Sequence, residues 1–341
     1  MQKNEFTQRM REDLANDVKH NKRSVERIAA SFGITDKNTV KEFTELSIVL
    51  EARRLAHQDL PIYARYMSIV DLYNKQVTLS HRTSQSMLLQ QYSTPAPIGF
   101  IAGIFCGMNK DGFYFEPSAG NGLLTIASEA HNFAVNEIDD VRRSNLDEQG
   151  FFKVAFQDAT KVFPFAKSFD AVISNPPFGK YEPPLKVNEF EFSILDHVMC
   201  IRALDTMKDN GRAALIIGGH TTWDDKGRIQ AGKNRIFFAY LNKYYNVLDC
   251  INIDGQKLYS RQGTAFNVRL ILIDGRKAKP EGYPPLYNPN QDRTVFSFEE
   301  LYNRVAKYVD ALDPSENTIT SAIEIEAEAL ALELELMQTN N

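Results

Sequence analysis

Residues 112–122 read GFYFEPSAGNG, and this segment is the strongest indication of the fold. An apolar run ends here on Glu116, and Gly120 and Gly122 follow in a short turn. This order predicts a buried strand and then a glycine-rich turn that opens a helix, where the backbone is able to approach a ligand closely. The third glycine of a GxGxxG pattern is missing, because Thr125 stands there. A tight turn without a ligand is the alternative.

Three further apolar runs repeat this design downstream. The polar residues that end the four runs lie 21, 21 and 17 positions apart, which is typical of successive βα units. Such units form a parallel sheet with ligands across its carboxyl edge. Strands are therefore predicted at 112–115, 133–136, 153–156 and 170–174, ending at Glu116, Glu137, Asp158 and Asn175, with two more at 213–218 and 268–274. For Glu137 and Asp158, an acid that is merely solvated at a strand end is the alternative.

The sequence NPPF at residues 175–178 follows the fourth predicted strand. Two prolines fix the backbone and remove two N–H donors, so that carbonyl groups remain as acceptors. The carboxamide oxygen of Asn175 and the carbonyl of Pro176 are together able to accept both hydrogens of a planar amino group, which makes its lone pair available. Phe178 adds an aromatic face on which a ring stacks. A strand-exit turn without chemistry is the alternative.

Taken in order, these motifs resemble those of the N6-adenine DNA methyltransferases of the gamma arrangement, over roughly residues 85–275. The resemblance implies a Rossmann-like class I methyltransferase fold with a mostly parallel sheet. It also implies S-adenosyl-L-methionine as the cofactor and the N6 amino group of adenine in DNA as the target, as in restriction-modification enzymes. Besides residues 115–122 and 175–178, the matching segments are QYSTPAP (91–97), VNEID (135–139), QD (157–158), GRAALII (211–217) and GTAF (263–266).

The resemblance further implies roles for individual residues. Glu137 binds the ribose hydroxyls, Ile138 packs on the adenine of the cofactor, and Asp158 accepts from the amino group of that adenine. An aromatic residue often follows this aspartate in the family, whereas Ala159 stands here. The catalytic residues are Asn175, Pro176, Pro177 and Phe178, and the full cofactor set is Tyr92, Thr94, Glu116, Ala119, Gly120, Gly122, Glu137, Ile138 and Asp158.

A polar loop at residues 224–235 follows a predicted strand on the substrate side of the sheet. Its cations are placed to contact phosphates, although a solvated loop is the alternative. Phe266 is the candidate for the second face of the target base, which a duplex would have to flip out. The candidate phosphate ligands are Lys226, Arg228, Lys233 and Arg235.

The chain divides into three predicted parts. Residues 1–78 form a helical domain that resembles modules of mobile-element and phage methylases, residues 79–275 the methyltransferase domain, and residues 276–341 a short extension. Val25–Leu46 has the look of a helix-turn-helix, with Asp36 capping its second helix, and either reads DNA or serves as a packing unit. Gamma enzymes usually carry a large recognition domain after the sheet, so sequence readout is expected from these helices or from a partner protein.

Composition limits the class of protein. The chain has 341 residues, 43% hydrophobic and 24% charged, which argues against disorder, collagen and coiled coil. Its longest nearly apolar stretch, residues 98–108, is too short to span a bilayer. Cys106, Cys200 and Cys250 form no CxxC pair, which argues against a zinc site and suits a reducing cytoplasm. We therefore expect a soluble cytoplasmic protein without a metal.

Charge is distributed unevenly along the chain. The formal net charge is −5, but eight acidic residues and no Lys or Arg follow Val309, so that the remainder is close to neutral. A focused basic patch is compatible with this distribution, whereas a general polyanion-binding surface is not. Within the acidic tail, residues 321–336 are expected to form a frayed helix or a partner-dependent segment.

Three other functions stay open at this stage. Methylation of adenine in RNA uses the same chemistry. Methylation of a protein glutamine uses a similar loop, but those enzymes usually have Tyr at the position of Phe178. A methylase-like binding subunit without activity is the third alternative, and the intact Asn175 and Glu116 argue against it.

Overall fold

A computed structural model describes residues 2–79 and 93–309 of the chain. The predicted helical region forms four helices, and a fifth precedes the sheet. Asp36 caps the third helix as predicted, because its side chain accepts a hydrogen bond of 2.7 Å from the backbone N–H of Thr39. These five helices are α1 (Gln2–Ala15), α2 (Lys22–Ser31), α3 (Lys37–Ala56), α4 (Ile62–Lys75) and α5 (Ala96–Phe105).

Helix α3 is packed against neighbouring helices and exposes little of its surface to solvent. Twelve of its 20 residues are buried, and it contacts α1, α4 and α5. A helix that reads a DNA groove has to expose one face to the bases. The burial of α3 therefore favours the packing interpretation of Val25–Leu46 over a DNA-reading unit. The boundaries at residues 78 and 275 stay predictions.

Seven strands form one sheet in the order β3-β2-β1-β4-β7-β9-β8. The pairs from β3 to β7 are parallel, whereas β9 runs antiparallel to both of its neighbours. The predicted fold class, a mostly parallel sheet flanked by helices with a helical N-terminal region, is confirmed. The strands are β1 (Tyr114–Glu116), β2 (Phe133–Asn136), β3 (Lys153–Ala155), β4 (Phe169–Ser174), β7 (Met207–Gly218), β8 (Tyr245–Ile253) and β9 (Val268–Arg276), and a separate hairpin is formed by β5 (Lys180–Val187) and β6 (Phe190–Ile194).

Both faces of the sheet are covered, so that the central strands are buried on each side. Successive residues of β4 alternate between two cores, with Ala171 and Ile173 in one and Val172 in the other. The remaining helices are α6 (Asp140–Asp147), α7 (Leu195–Thr206), α8 (Lys233–Tyr244), α9 (Gly255–Leu258) and α10 (Phe298–Val309). Across the described parts of the chain, we find no helix that combines the length and apolarity needed to cross a membrane.

The helix predicted after the glycine turn is wrong. The turn leads instead into a single 3-10 turn at Leu123–Thr125. Helix α5 lies directly on this segment. Its Gly99 approaches so closely that an added Cβ would be only 3.0 Å from the carbonyl oxygen of Leu123. Such close approach leaves little room for the side chains of a longer helix. The ligand-facing groups here are those of a turn.

Candidate functional site

A cavity of about 280 Å³ lies at the carboxyl ends of β1, β2, β3 and β4. Strand order reverses between β1 and β4, which is the position where open α/β sheets bind ligands. Eleven of the predicted site residues line this one cavity: Thr94, Glu116, Ala119, Gly120, Glu137, Ile138, Asp158, Asn175, Pro176, Pro177 and Phe178. The sequence motifs therefore converge in space although they are far apart in the chain.

Other predicted residues lie elsewhere. Gly122 adopts the left-handed conformation with φ +91° and is turned away from the cavity, because a Cβ there would meet Phe151 and Leu146 at 3.2 and 3.3 Å. It shapes the turn and, in this structure, does not line the cavity as predicted. Tyr92 lies outside the described residues. Phe266 and the four predicted phosphate ligands also lie beyond the cavity lining.

Glu137 is fixed by backbone groups on either side. Its carboxylate accepts from the N–H of Gly120 at 2.7 Å and from the N–H of Asp139 at 2.8 Å. Burial raises the pKa of Glu137, although Arg142 and these N–H donors oppose the rise. The bond to Gly120 joins the loop after β2 to the glycine turn after β1. One carboxylate thus sets the relative position of two ligand-facing loops.

Glu116 is only 1% exposed, and within the described chain its Oε2 atom has no hydrogen-bond partner. Burial raises the pKa of Glu116 well above its ordinary value, the neighbouring Glu137 adds to the rise, and Arg53 opposes it. Arg53 itself is held by Thr125 and Gln149, at 2.6 and 3.0 Å. A buried carboxyl oxygen without a donor is costly, so this atom points to a missing ligand.

Asn136 and Arg142 line the cavity but were missed from the sequence. The Asn136 amide donates to the carbonyls of Pro117 and Gln157 and accepts from the N–H of Gln157, which ties together the loops after β1 and β3. Arg142 donates to Glu42 of α3 at 2.8 Å. Asn136 is the last residue of a predicted strand, and this position was the one feature of the sequence that could have identified it as a site residue. The Arg142–Glu42 pair had none, because its partners are 100 residues apart.

Residues 175–178, which we call the amino-group loop, are held in place by the segment just before α5. The side-chain amide of Asn175 donates to the hydroxyl of Thr94 at 2.8 Å, and the carbonyl of Thr94 accepts from Gln262 at 3.1 Å. Because the amide nitrogen is committed to Thr94, the orientation of the carboxamide oxygen is fixed as well. The ring of Phe178 lies on Gly218 at the end of β7, where a Cβ would be 3.1 Å from the ring.

The far end of the cavity is more open. Ile138 is 54% exposed at its edge, and the Asp158 side chain is about half exposed. One oxygen of Asp158 accepts from the backbone N–H and the hydroxyl of Thr160. An exposed apolar face beside a carboxylate suits a planar heterocycle with an amino group. Ala159, at the position where an aromatic residue is common, is buried in the wall.

The polar loop at residues 224–235, called the basic loop below, has part of its positive charge neutralised by its own Asp224. Asp224 binds the side chains of both Arg228 and Arg235, at 2.9 and 3.1 Å, while Lys226 and Lys233 are exposed. Hydrogen bonds from the backbone of Arg228 lower the pKa of Asp224 to about 2. The phosphate-binding prediction is therefore better matched by the two lysines than by the arginines.

Aromatic side chains lie beside this loop. The rings of Trp223 and Tyr287 are 4.9 Å apart, and the N–H of Tyr287 donates to the carbonyl of Gly227 at 2.7 Å. Phe266 is 56% exposed and precedes Asn267, whose carbonyl accepts from Gly219 just after β7. Aromatic and cationic groups thus share the sheet edge that carries the amino-group loop.

Nucleophilic and metal-binding groups are not gathered at the cavity. Cys106 is buried, and burial raises its pKa, which disfavours the thiolate. His220 bonds to the carbonyl of Ile253 at 2.9 Å, which gives it a structural contact outside the cavity lining. Within residues 2–79 and 93–309, no three or more His, Cys, Asp or Glu side chains are grouped to hold a metal ion.

No protein-family model matches the chain, and no curated protein matches it in sequence. Among solved structures, it is similar to a protein of Vibrio vulnificus YJ016 described as the modification subunit of a type I restriction enzyme (12% identity, TM-score 0.46, 71% of this chain and 58% of that one). It is also similar to a protein of Listeria monocytogenes described as a class I S-adenosylmethionine-dependent methyltransferase (15%, 0.46, 88% and 89%). A third is the M protein of the type I restriction enzyme EcoKI (14%, 0.44, 77% and 62%).

The chain spans less than two thirds of the length of the two restriction-enzyme subunits. Likenesses this distant carry no argument about substrate or partner. The cavity and its residues are therefore the basis of the functional assignment.

Proposed function

We propose that this chain is an S-adenosyl-L-methionine-dependent methyltransferase that acts on the N6 amino group of adenine in DNA. The observation that carries the proposal is the position of Asn175. Its carboxamide is locked by Thr94 at the wall of a cavity that also holds Glu116 and Glu137. A fixed amide oxygen beside a cavity lined by buried carboxyl groups suits the methylation of an amine by a cationic methyl donor.

The residues of the cavity fit the cofactor. The partnerless, buried Oε2 atom of Glu116 suits a ligand that carries positive charge. Glu137 holds the ribose hydroxyls from the loop after β2, while Ile138 and Asp158 receive the adenine at the open end. The cavity volume of about 280 Å³ is close to the lower end of the range for small-molecule sites, about 300–1,000 Å³.

When bound, S-adenosyl-L-methionine supplies an electrophilic methyl group on a sulfonium. The chain contributes by orienting the acceptor and by keeping water out. The carboxamide oxygen of Asn175 and the carbonyl of Pro176 accept the two hydrogens of the target amino group. These bonds draw the nitrogen towards a pyramidal geometry and aim its lone pair into the cavity. Phe178, seated on Gly218, stacks on the ring that carries the amine.

A nucleic-acid target is favoured by the surface beyond β7. The rings of Trp223 and Tyr287 offer stacking area, and the exposed Lys226 and Lys233 offer phosphate contacts. Stacking combined with cations is the usual means of holding single-stranded or flipped nucleotides. A protein glutamine needs neither. The exposed Phe266 at the same edge is assigned to the second face of the target base.

Sequence selection is the remaining requirement. Because α3, the second helix of the predicted helix-turn-helix unit, is buried, it has few side chains to offer to a DNA groove. We therefore assign sequence selection to a separate partner protein.

The deciding experiment is transfer of labelled methyl groups to DNA, RNA and protein offered together. We expect label in DNA at adenine N6, and loss of about 10²–10³ in rate in the variant Asn175→Ala. Asn210→Ala is the matched control, because Asn210 is exposed at the other end of β7. Label in RNA or protein alone rejects the DNA assignment. Full activity in Asn175→Ala rejects the mechanism, and cofactor binding without any transfer supports a non-catalytic subunit.

A further inference from the structure

One wall of the cavity comes from outside the sheet. Glu45 of α3 and Ser93, just before α5, both line it. The Glu45 side chain is 2% exposed, and one of its carboxylate oxygens accepts a hydrogen bond from the hydroxyl of Ser93. The other oxygen, Oε2, has no hydrogen-bond partner in the described part of the chain. A buried carboxylate therefore presents an unused acceptor at the cavity.

The cations nearby are engaged with a different carboxylate. Arg142 is close enough to Glu45 to feel its charge, yet its guanidinium bonds to Glu42 at 2.8 and 3.3 Å. Lys41 donates to Glu42 as well, at 3.1 Å. Glu42 thus takes the hydrogen bonds, and Glu45 lacks the matching donor that a buried charge normally has.

Position within the cavity indicates which donor is missing. The ribose and adenine ends of the proposed cofactor lie at Glu137 and Asp158, after β2 and β3. Glu45, Ser93 and Thr94 lie on the wall that carries the Asn175 contact. This leaves the methionine end of the cofactor for Glu45. A sulfonium has no hydrogen to donate, whereas an ammonium group has three.

We propose that Glu45 binds the α-ammonium group of the methionine moiety of S-adenosyl-L-methionine, so that α3 completes the cofactor site. The inference rests on the proposed function, since it names a contact of the same cofactor. Its consequence is that the N-terminal helices are part of the binding machinery. Ser93 acts as a positioning residue, because its hydroxyl holds the Glu45 carboxylate in place.

The test is calorimetric binding of three ligands to the full chain. S-adenosyl-L-methionine has both the ammonium and the sulfonium, S-adenosylhomocysteine keeps the ammonium alone, and 5′-methylthioadenosine has neither. We expect Glu45→Gln to weaken the first two by about tenfold or more and to leave the third within about twofold. Glu51→Gln is the control, because Glu51 is equally buried on α3 but is paired with Arg54.

Each other result overturns the inference. Parallel weakening of all three ligands means that Glu45 only supports the fold. Weakening of S-adenosyl-L-methionine alone points to the sulfonium, and tighter binding points to the methionine carboxylate. If Glu45→Gln fails to fold, Ser93→Ala is expected to show the same ligand pattern with a smaller loss, and an unselective loss there overturns the inference. A wild-type chain that binds none of the three ligands is a failure of the proposed function itself, and it is measured first.

Discussion

The site consists of two unlike halves: in the buried half, which is the cavity wall formed after β1 and β2, polar side chains are shielded from water, whereas in the exposed half, which is the surface beside the cavity beyond β4 and β7, aromatic and basic side chains face solvent. The first half contains Glu116 and Glu137, with exposures of 1% and 6%. The second half lies beyond β4 and β7 and contains Phe266, 56% exposed. Buried polar groups fix one geometry, because each misplaced contact is costly. The exposed surface is able to accommodate a large substrate, and its contacts are individually weak.

This contrast predicts different consequences of substitution. Changes in the buried half should reduce stability or cofactor affinity. Changes in the exposed half should reduce substrate binding and transfer while the fold is retained.

The largest effect is expected at the ion pair between α3 and α6. Burial opposes ionisation of Glu42, but Arg142 and Lys41 outweigh it and lower the pKa of Glu42 to about 2. Arg142→Met leaves the buried Glu42 with Lys41 as its remaining charged partner, and should lower the free energy of unfolding by up to about 3–5 kcal/mol in urea titrations. Arg143→Met is the control, because Arg143 pairs with the exposed Asp140 and should cost less than about 1 kcal/mol.

The double variant Glu42→Gln/Arg142→Met sharpens this result. Removing both charges should restore part of the lost stability, because Glu42 no longer carries a buried charge, although Lys41 loses its partner. An Arg142→Met chain as stable as the wild type would contradict the contrast between the two halves.

At the boundary between the two halves, Phe178→Ala should weaken binding of the nucleic-acid substrate. Stacking of a base on an aromatic ring is worth about 1–3 kcal/mol, or roughly 5- to 150-fold in affinity. We expect KM for the oligonucleotide to rise by this factor. The Kd of the cofactor should stay within about twofold of the wild-type value. Phe152→Ala, which removes a ring that is 68% exposed near β3, should change neither constant. Equal rises in KM in both variants would mean that Phe178 does not stack on the target base.

Cofactor affinity should depend on pH in the buried half. Burial is the main cause of the raised pKa of Glu116. The neighbouring Glu137 raises this pKa further, while Arg53 opposes the rise. A cationic ligand favours the ionised carboxylate, so binding releases a proton and weakens as the pH falls below the raised pKa. As the pH falls through the raised pKa of Glu116, we expect Kd to rise by up to about tenfold per pH unit. Glu116→Gln should flatten the profile measured by calorimetry, and an unchanged slope would exclude Glu116 as the titrating group.

The smallest effect is expected at the basic loop. Lys226→Ala should reduce the salt dependence of DNA binding by about one unit of slope, uniformly across sequences. Arg228→Ala should change the slope less, because Arg228 is already paired with Asp224 at 2.9 Å. Binding isotherms over a range of salt concentrations measure both. A larger effect from Arg228 would show that substrate breaks the internal pair.

The regular part of the fold was open to sequence reasoning. The strands at residues 133–136 and 170–174 were found within one residue, because continuous apolar runs ending in polar residues are a local signal. Strand β8 was missed, because Asp249 and Asn252 interrupt its apolar pattern. Their partners, Arg304 at 2.8 Å and Thr221 at 2.9 Å, come from distant segments. The hairpin β5–β6 was missed as well, since much of it is exposed.

For the site, the amino-acid order alone was enough to predict which strand ends carry Glu116, Glu137, Asp158 and Asn175, and these side chains share one cavity. Parallel strands place their carboxyl ends along one edge, so the linear order was sufficient. In contrast, long-range packing sets the position of Glu45 of α3 at the cavity wall and the 3-10 turn that follows the glycine turn. Those features depend on compensation of buried charge and on close helix packing between segments far apart in the chain, and neither leaves a local pattern.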